Sequence, residues 1–461
     1  MYQVPCQRLR LFAGRLGPEM SGREDEMSER AERLTAALEQ VRGVDIDEAT
    51  VLAHVIRPDN LLGTSSDRGP EGVPPEDFPV PPSPSPKPGP RPGPSPHYGF
   101  NAAGFVQQVA EFLTGNVAGY SIRLNENGSS IGVVDWNWAK EPQDGSEAWT
   151  PGVRMHVASL SKIVTAAAMT RLLGAAGIPA STPIIDYLPA YWVKGPNVDQ
   201  ITFAELLTHT SGLAFGATNS RSDFEWMKEQ IAAGTTHIGQ FSYQNMNFGL
   251  CRILLATING NVSVDWFLQD PIVPATLIDS SWDATTISAY ASYVASEVFA
   301  PSGVTGPDFT HDAADALAYN FPVTGNGWNS GDLATMAGGA GWHMSADEFL
   351  DVMATFRRGG TIVTTAQAQG MLDDGFGIDF SVDTDLGFYY AKNGGWNDGV
   401  HEEQCVAFFL PLNMELVVLV NSPVFEGAAN LTIDWLYQFV MAAYFNHITD
   451  VASPAGIRAT G

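Results

Sequence analysis

Ser159 and Lys162 stand three residues apart at the start of an apolar stretch, where they could form a nucleophile and its base. Residues at positions i and i+3 share one face of a helix, so a hydroxyl and an amine at this spacing can point to the same spot. The helix N-terminus would add free backbone N–H groups and a positive dipole end that favour developing negative charge. The pair therefore predicts attack by a lysine-activated serine. The plain alternative is that Ser159 only caps the helix, since serine is a preferred N-cap residue.

Two further motifs follow along the chain. Tyr243-Gln244-Asn245 precedes an apolar run, and Lys392-Asn393-Gly394-Gly395 follows at the end of a predicted strand, where glycines let a ligand approach the backbone closely. Taken singly, the first motif indicates a turn tyrosine with an asparagine helix cap, and the second an ordinary hairpin turn. Of the six lysines in the chain, however, only Lys162 has a serine three residues before it. The three motifs together carry more weight than any one of them.

In this order the motifs resemble those of the serine β-lactamase and penicillin-binding-protein superfamily. The Tyr-x-Asn motif is similar to that of the branch containing class C β-lactamases, D-Ala-D-Ala carboxypeptidases and esterases. The resemblance extends over about residues 100–445. Flanking segments that agree with this branch are 187–189, 201–213, 338–339, 345–347, 410–411 and 420–421.

The resemblance implies a role for each matching residue. Ser159 would be the acylated nucleophile, Lys162 its proton acceptor and Tyr243 a proton relay. A lysine acts as a base only if burial or a neighbouring cation lowers its pKa, and Lys392 is the obvious second cation. The backbone N–H groups of Ser159 and Gly395 would form the oxyanion hole. Substrate contacts would come from Asn245, Lys392, Asn393, Gly394 and Trp396.

One position departs from the family pattern. Asn393 follows Lys392 where most members carry threonine or serine, and the missing hydroxyl predicts altered recognition of a substrate carboxylate. Lys392 argues the other way, since a cation suits an anionic substrate. We expect an acyl-enzyme on a cell-wall peptide of the D-Ala-D-Ala type, a β-lactam or an ester. No cofactor is implied.

The histidines give no motif of their own. His209 is expected to be a structural hydrogen-bonding residue. His156, His343 and His401 are scattered without the spacing of a metal site, so no metal ligand is predicted.

Composition divides the chain into four parts. Residues 1–68 form an N-terminal extension with a predicted helix over 21–41, and residues 69–97 form a proline-rich linker, with 13 prolines in 70–96. Residues 98–449 form the predicted hydrolase domain, and 450–461 a tail. Residues 1–68 are either a docking segment for a larger protein assembly or a disordered extension.

The domain is predicted to be α+β, with an antiparallel sheet built from both of its ends, flanking helices and an inserted, mostly helical region. One helix is expected to begin at Ser159 and to close at Gly174, and helices are expected to dominate 159–375. A final helix is expected over 431–445. Strands are predicted over 117–124, 131–138, 387–392, 404–410 and 415–420.

Composition also limits which kinds of partner the protein is expected to have. The net charge of −27 disfavours a nucleic-acid partner, because phosphate binding needs clustered lysine and arginine. No apolar run approaches a membrane span, and no signal-peptide core is visible, which predicts a cytoplasmic protein or, for a phage tail component, a virion protein. That second possibility defines an alternative function: a structural or wall-binding part of a larger assembly, with cell-wall contact and little or no catalysis. The three cysteines imply no disulfide framework.

Overall fold

A computed structural model describes residues 98–217, 221–266, 275–424 and 434–450. The predicted helix over 21–41, the linker and most of the tail lie outside the described residues. Within them, the centre is a seven-stranded sheet in the order β4-β3-β2-β10-β9-β8-β7, antiparallel throughout. Its strands are β2 Gly119–Glu126, β3 Ser129–Lys140, β4 Glu147–Ala148, β7 Phe380–Val382, β8 Tyr389–Asn397, β9 Glu402–Leu410 and β10 Met414–Val420.

Strands from the two ends of the domain meet in this sheet, as the sequence predicts. The hairpin β2–β3 comes from the N-terminal part, and β7 to β10 come from the C-terminal part. They join where β10 pairs with β2, for example Leu416 with Leu124. A short pair of strands, β1 Tyr98–Phe100 and β11 Ile448–Asp450, also brings the two ends together. The α+β prediction with a β-lactamase-like sheet is confirmed.

Each face of the sheet is covered by a separate apolar layer. One face packs against the terminal helices α1 Ala102–Leu113 and α9 Asp434–Asn446. The other packs against the region between β4 and β7, which holds most of the buried apolar side chains. Because both faces are covered, β10 is buried along its whole length. No helix in the described ranges is long and apolar enough to cross a membrane.

The inserted region contains the helices that support the site. They are α2 Ser161–Ala176, α3 Phe203–Leu207, α4 Phe224–Ala233, α5 Asn245–Ile258, α6 Ala275–Val294, α7 Ala346–Ala354 and α8 Thr365–Asp373. The helical prediction is only partly confirmed. Residues 177–202 and 303–342 are mainly irregular, and the second of these segments leads to β6 His343–Met344, which pairs with β5 Met155–His156.

Two local predictions are wrong in detail. Helix α2 does not close at Gly174 but continues to Ala176, and Gly177 caps it with φ +67°. That left-handed conformation favours glycine, so the true stop lies three residues later. The second error concerns the Lys392 motif. It does not end a strand, because β8 runs on to Asn397 and its pairing with β9 includes residues 392–397.

Candidate active site

A sharp turn positions Ser159, the predicted nucleophile. Strand β5 ends at His156, and Ala158 then adopts φ +42°, a left-handed conformation that is strained for any residue but glycine. A 3-10 turn over Ala158–Leu160 runs directly into α2. Ser159 therefore lies in this turn just before the helix. The i, i+3 spacing still directs the side chains of Ser159 and Lys162 to one point, as the sequence predicts.

Lys162 is completely buried and makes three polar contacts. Its Nζ lies 2.9 Å from Ser159 Oγ, 2.7 Å from Asn245 Oδ1 and 2.6 Å from the backbone oxygen of Gly339. Burial, and then the positive charge of Lys392, lower the pKa of Lys162 well below its usual value. A neutral amine has two N–H donors and one lone pair. The two carbonyl oxygens can accept the donors, which leaves the lone pair for the serine hydroxyl.

Tyr243 approaches the serine from a second direction. Its hydroxyl donates a hydrogen bond to Ser159 Oγ over 2.7 Å, and Lys392 Nζ donates to the tyrosine oxygen over 3.4 Å. Burial raises the pKa of Tyr243, although the charge of Lys392 opposes this shift. The phenol is therefore protonated at neutral pH and can give a proton away.

Sequence analysis missed one charged residue of this site, Asp379. Its Oδ1 accepts a hydrogen bond from Lys392 Nζ over 2.6 Å, and its Oδ2 accepts one from the backbone N–H of Asn393 over 3.1 Å. Burial lowers the pKa of Lys392, but this carboxylate and Tyr243 outweigh burial, so the net shift is upward. The pairing of β7 with β8 places Asp379, just before β7, beside Lys392. A predicted hairpin around Gly387 is the signal that could have indicated it.

His209 lies behind Tyr243 and makes no polar contact with the serine among the described residues. The two rings lie 4.3 Å apart, and His209 Nδ1 accepts a hydrogen bond from the backbone N–H of Gln244 over 3.3 Å. Burial, followed by the charges of Lys162 and Lys392, lowers the pKa of His209. It is a neutral support for the segment that carries Tyr243, which agrees with the structural role expected from the sequence.

Strand β8 passes very close to the nucleophile turn. A Cβ atom on Gly394 would lie 2.5 Å from Cys405 Sγ and 3.0 Å from the backbone oxygen of Val157, so no side chain fits there. This close approach explains the glycine physically. Gly395 follows it in the strand, opposite Gln404. The oxyanion hole formed by the backbone N–H groups of Ser159 and Gly395 stays a prediction.

The remaining predicted substrate contacts lie on the same strand. Asn393 is 6% exposed, and its backbone contacts Asp379. Trp396 is half-buried, and its ring meets that of His156 edge-on at 5.5 Å. Their contact with a substrate stays a prediction. The residues that the structure joins by direct hydrogen bonds are Ser159, Lys162, Tyr243, Asn245 and Lys392, with Asp379 added.

This fold belongs to a known family of proteins. The beta-lactamase family matches residues 105–437, and the chain belongs to that family. No curated protein sequence matches it significantly. Family and fold together support a hydrolase.

Solved structures share the fold at low sequence identity. The class C beta lactamase from Rhodobacter sphaeroides is 15% identical with a TM-score of 0.53, covering 75% of this chain and 99% of that one. The D-amino acid amidase from Ochrobactrum anthropi SV3, in complex with L-phenylalanine, is 14% identical with a TM-score of 0.54, covering 75% and 98%. The octameric penicillin-binding protein homologue from Pyrococcus abyssi is 15% identical with a TM-score of 0.53, covering 75% and 78%. At this level of identity they show a shared fold.

Proposed function

We propose that this protein is a serine hydrolase that forms an acyl-enzyme on Ser159, with the carbonyl of a peptide, a β-lactam or an ester as its target. The observation that carries the proposal is the pair of contacts on one hydroxyl. Ser159 Oγ lies 2.9 Å from a buried lysine and 2.7 Å from a half-buried tyrosine. A serine between a neutral amine and a phenol has both a proton acceptor and a proton donor within reach.

Acylation follows from the protonation states. Ser159 Oγ bonds to the substrate carbonyl carbon while its proton passes to Lys162, whose lowered pKa keeps the amine free to accept it. The carbonyl oxygen becomes an oxyanion, for which the backbone N–H groups of Ser159 and Gly395 are the proposed donors. When the bond to the leaving group breaks, Tyr243 gives that group a proton. The resulting phenolate lies beside the ammonium of Lys392.

Deacylation restores each proton to its origin. Tyr243, now a phenolate, takes a proton from water as the hydroxide bonds to the acyl carbon. The bond between that carbon and Ser159 Oγ then breaks, and the protonated Lys162 returns a proton to the oxygen. One water is consumed, and the lysine, tyrosine and serine regain their starting forms.

The charge balance at Lys392 bears on the substrate. Asp379 already forms a buried ion pair with this lysine, which weakens its attraction for a substrate carboxylate. Asn393 also lacks the hydroxyl that family members usually carry at that position. Both features favour an amide or ester recognised without a free carboxylate over a D-Ala-D-Ala peptide or a penicillin.

Intact-mass spectrometry tests the function and the substrate together. The protein is incubated separately with a β-lactam, a D-Ala-D-Ala peptide and a short ester, and each sample is quenched with acid at several times. We expect a mass increase equal to the acyl group, absent in Ser159→Ala and present in the matched control Ser263→Ala, whose serine lies in a turn after α5. An ester or amide adduct without a β-lactam adduct supports the preference for neutral substrates. No adduct and no turnover with any of the three would refute the proposal.

The alternative, a structural or wall-binding component of an assembly, gains no support from the family match or the similar structures. It depends on residues 1–68 and the linker, which lie outside the described residues. Sedimentation of the purified full chain tests it. A monomer with Ser159-dependent turnover favours the hydrolase, and a large particle without turnover favours the alternative.

A further inference from the structure

A second group of polar side chains lies apart from the serine site. His311 and Asp315 belong to the irregular segment 303–342, and His343 belongs to β6. One nitrogen or oxygen atom from each lies within 4.8 Å of the other two. His343 is 1% exposed and Asp315 is 3% exposed. No hydrogen bond among the described residues links the three side chains to the catalytic groups.

Each of the two histidines has a buried nitrogen without a hydrogen bond of normal geometry. These atoms are Nδ1 of His343 and Nδ1 of His311, and neither has such a partner within the described part of the chain, although the backbone of Asp308 and Gly341 lies near the His343 ring. Buried polar atoms are nearly always paired, because leaving water without a new partner is costly. Imidazole nitrogens that have no other partner are suited to a cation.

His156 lies directly opposite His343 in the β5–β6 pair but differs from it in its hydrogen bonds. Its Nε2 accepts the backbone N–H of Gly341 over 3.1 Å, so its Nδ1 carries the proton and donates to Glu403 over 3.1 Å. Both nitrogens of His156 are thus satisfied by the protein. The neighbouring His343 is equally buried but keeps one nitrogen open, so burial alone does not explain the open position.

The outer contacts hold the group in place. His343 Nε2 lies 3.2 Å from Ser330 Oγ, which can accept its proton and so leave Nδ1 as the unprotonated nitrogen. Asp315 Oδ2 accepts the backbone N–H of Asp312 over 2.9 Å, which leaves Oδ1 available. Partners of this kind orient metal ligands and fix the tautomer of a ligating histidine.

We propose that His311, Asp315 and His343 bind one divalent transition-metal ion, with Zn²⁺ the best match and water in the remaining position. Two imidazoles and one carboxylate are ligands that zinc commonly takes, at about 2.0–2.2 Å. In the tetrahedral geometry that zinc prefers, bonds of this length place two ligand atoms about 3.3–3.6 Å apart. The atoms of this group lie within 4.8 Å of one another, so binding would draw the side chains together by up to about 1.5 Å.

The surrounding charges permit a dication. The carboxylates of Asp308 and Asp312 lie near that of Asp315. Two cations whose charge reaches this group, Arg154 and Lys140, are each paired with a carboxylate. Arg154 forms an ion pair with Glu348, and Lys140 Nζ lies 3.0 Å from Glu147 Oε2.

The expected role of the ion is structural. It would join segment 303–342 to β6, and β6 pairs with the strand that leads into the turn carrying Ser159. It would not contact the reacting carbonyl, since the proposed chemistry uses other groups. The inference is thus independent of the proposed hydrolase activity.

Metal analysis of the full-length, tag-free protein tests the site. The protein is stripped with a chelator, exchanged into excess Zn²⁺ or Co²⁺, passed through a desalting column and analysed for metal and for visible absorption of bound Co²⁺. We expect one equivalent per chain and a higher Tm with Zn²⁺. His311→Ala and Asp315→Asn should lose the bound metal and the Tm increase. His237→Ala, a half-buried histidine stacked on Phe215, should keep both.

Each outcome either supports or overturns the metal site. Because His311 is only half-buried, we expect the His311→Ala variant to remain folded, and circular dichroism checks this. If His311→Ala does not fold, Asp315→Asn serves in its place, because asparagine has nearly the same shape as aspartate. Ser330→Ala should weaken Zn²⁺ binding by about 10–100-fold without abolishing it. Failure of the wild-type protein to retain either metal would overturn the proposal. Equal retention by wild type, His311→Ala and Asp315→Asn would overturn it as well, since the metal would then be bound elsewhere.

Discussion

The serine site and the histidine–aspartate cluster are both buried groups of ionisable side chains, yet they balance charge differently. At the serine site, the ammonium of Lys392 is paired with Asp379, and the three contacts of Lys162 use all the positions of a neutral amine. In the cluster, two histidine nitrogens have no partner among the described residues.

The difference reflects the proposed task of each group, which is proton transfer at the serine site and cation binding in the cluster. A site that moves protons must keep donors and acceptors matched before and after each step, and in the proposed mechanism Lys162, Tyr243 and Lys392 do this around one hydroxyl. A group of nitrogen and oxygen atoms with open lone pairs can instead be satisfied by a cation. The following predictions test this contrast, beginning with the largest expected effect.

Removing the base should have the largest effect. Lys162→Ala is expected to slow the labelling of Ser159 by a fluorophosphonate by about 10²–10⁴-fold, because proton transfer to the lysine is lost. Labelling is followed by mass spectrometry under single-turnover conditions. Lys228→Ala is the matched control, since that lysine pairs with Asp279 away from the serine. An unchanged labelling rate in folded Lys162→Ala would rule out the lysine as base.

Removing the charge partner of Lys392 should mainly affect stability. Asp379→Asn leaves a buried ammonium uncompensated, and breaking such a pair from one side costs about 3–5 kcal/mol of unfolding free energy. Chemical denaturation measures the loss. Asp223→Asn is the control, because its pair with Arg221 is exposed and an exposed pair contributes less than about 1 kcal/mol. Equal losses in the two variants would contradict the proposed charge balance.

Filling the space beside the nucleophile turn should have an intermediate effect. Gly394→Ala puts a methyl group into the 2.5 Å approach to Cys405 Sγ, and we expect a loss of about 1–3 kcal/mol together with slower acylation. Gly370→Ala in α8 is the control, since nothing lies within 4 Å of its added methyl group. There we expect a gain of about 0.5–1 kcal/mol from the better helix former. A stable, fully active Gly394→Ala would show that β8 can move away from the turn.

The pH dependence tests the electrostatic link between the two lysines. Acylation requires neutral Lys162, so its rate should rise with pH through the pKa of this lysine, which lies well below the usual value. Lys392→Met removes a positive charge that lowers the pKa of Lys162, while the carboxylate of Asp379, which raises this pKa, remains. The pKa of Lys162 should therefore rise, and the rising limb of the pH–rate profile should move to higher pH. The profile of Lys228→Met should coincide with that of wild type, and a shift to lower pH in Lys392→Met would show that the sign is wrong.

Metal removal should have the smallest effect on the chemistry. Stripping the histidine–aspartate cluster is expected to lower the Tm but to leave the acylation rate of Ser159 unchanged at a temperature where the protein stays folded. The Tm and the acylation rate are measured on one chelator-treated sample, which is divided into two portions, and Zn²⁺ is added back to one of them. A large loss of acylation that Zn²⁺ reverses would mean that the two regions are functionally coupled.

Much of the fold and part of the site could be predicted because the signals are local or ordered along the chain. The strands of the sheet show as apolar runs between turn residues, and the pair Ser159 and Lys162 depends only on helical spacing. The order of the three motifs then indicated the family. The boundary errors have local causes, since Gly174 sits within a helix that Gly177 ends, and the glycines after Lys392 continue a strand.

From the sequence alone, the motifs predict Ser159 as nucleophile, Lys162 as its base and Tyr243 as proton relay, and they indicate the family. The charge states follow only from the three-dimensional arrangement, because they depend on burial and on partners far along the chain. Asp379 became the partner of Lys392 through the pairing of β7 with β8, and His343 joined His311 and Asp315 across 32 and 28 residues through a loop of no regular pattern. Contacts between distant, irregular segments leave no periodic trace in a sequence, and it is these contacts that set pKa values and bring metal ligands together.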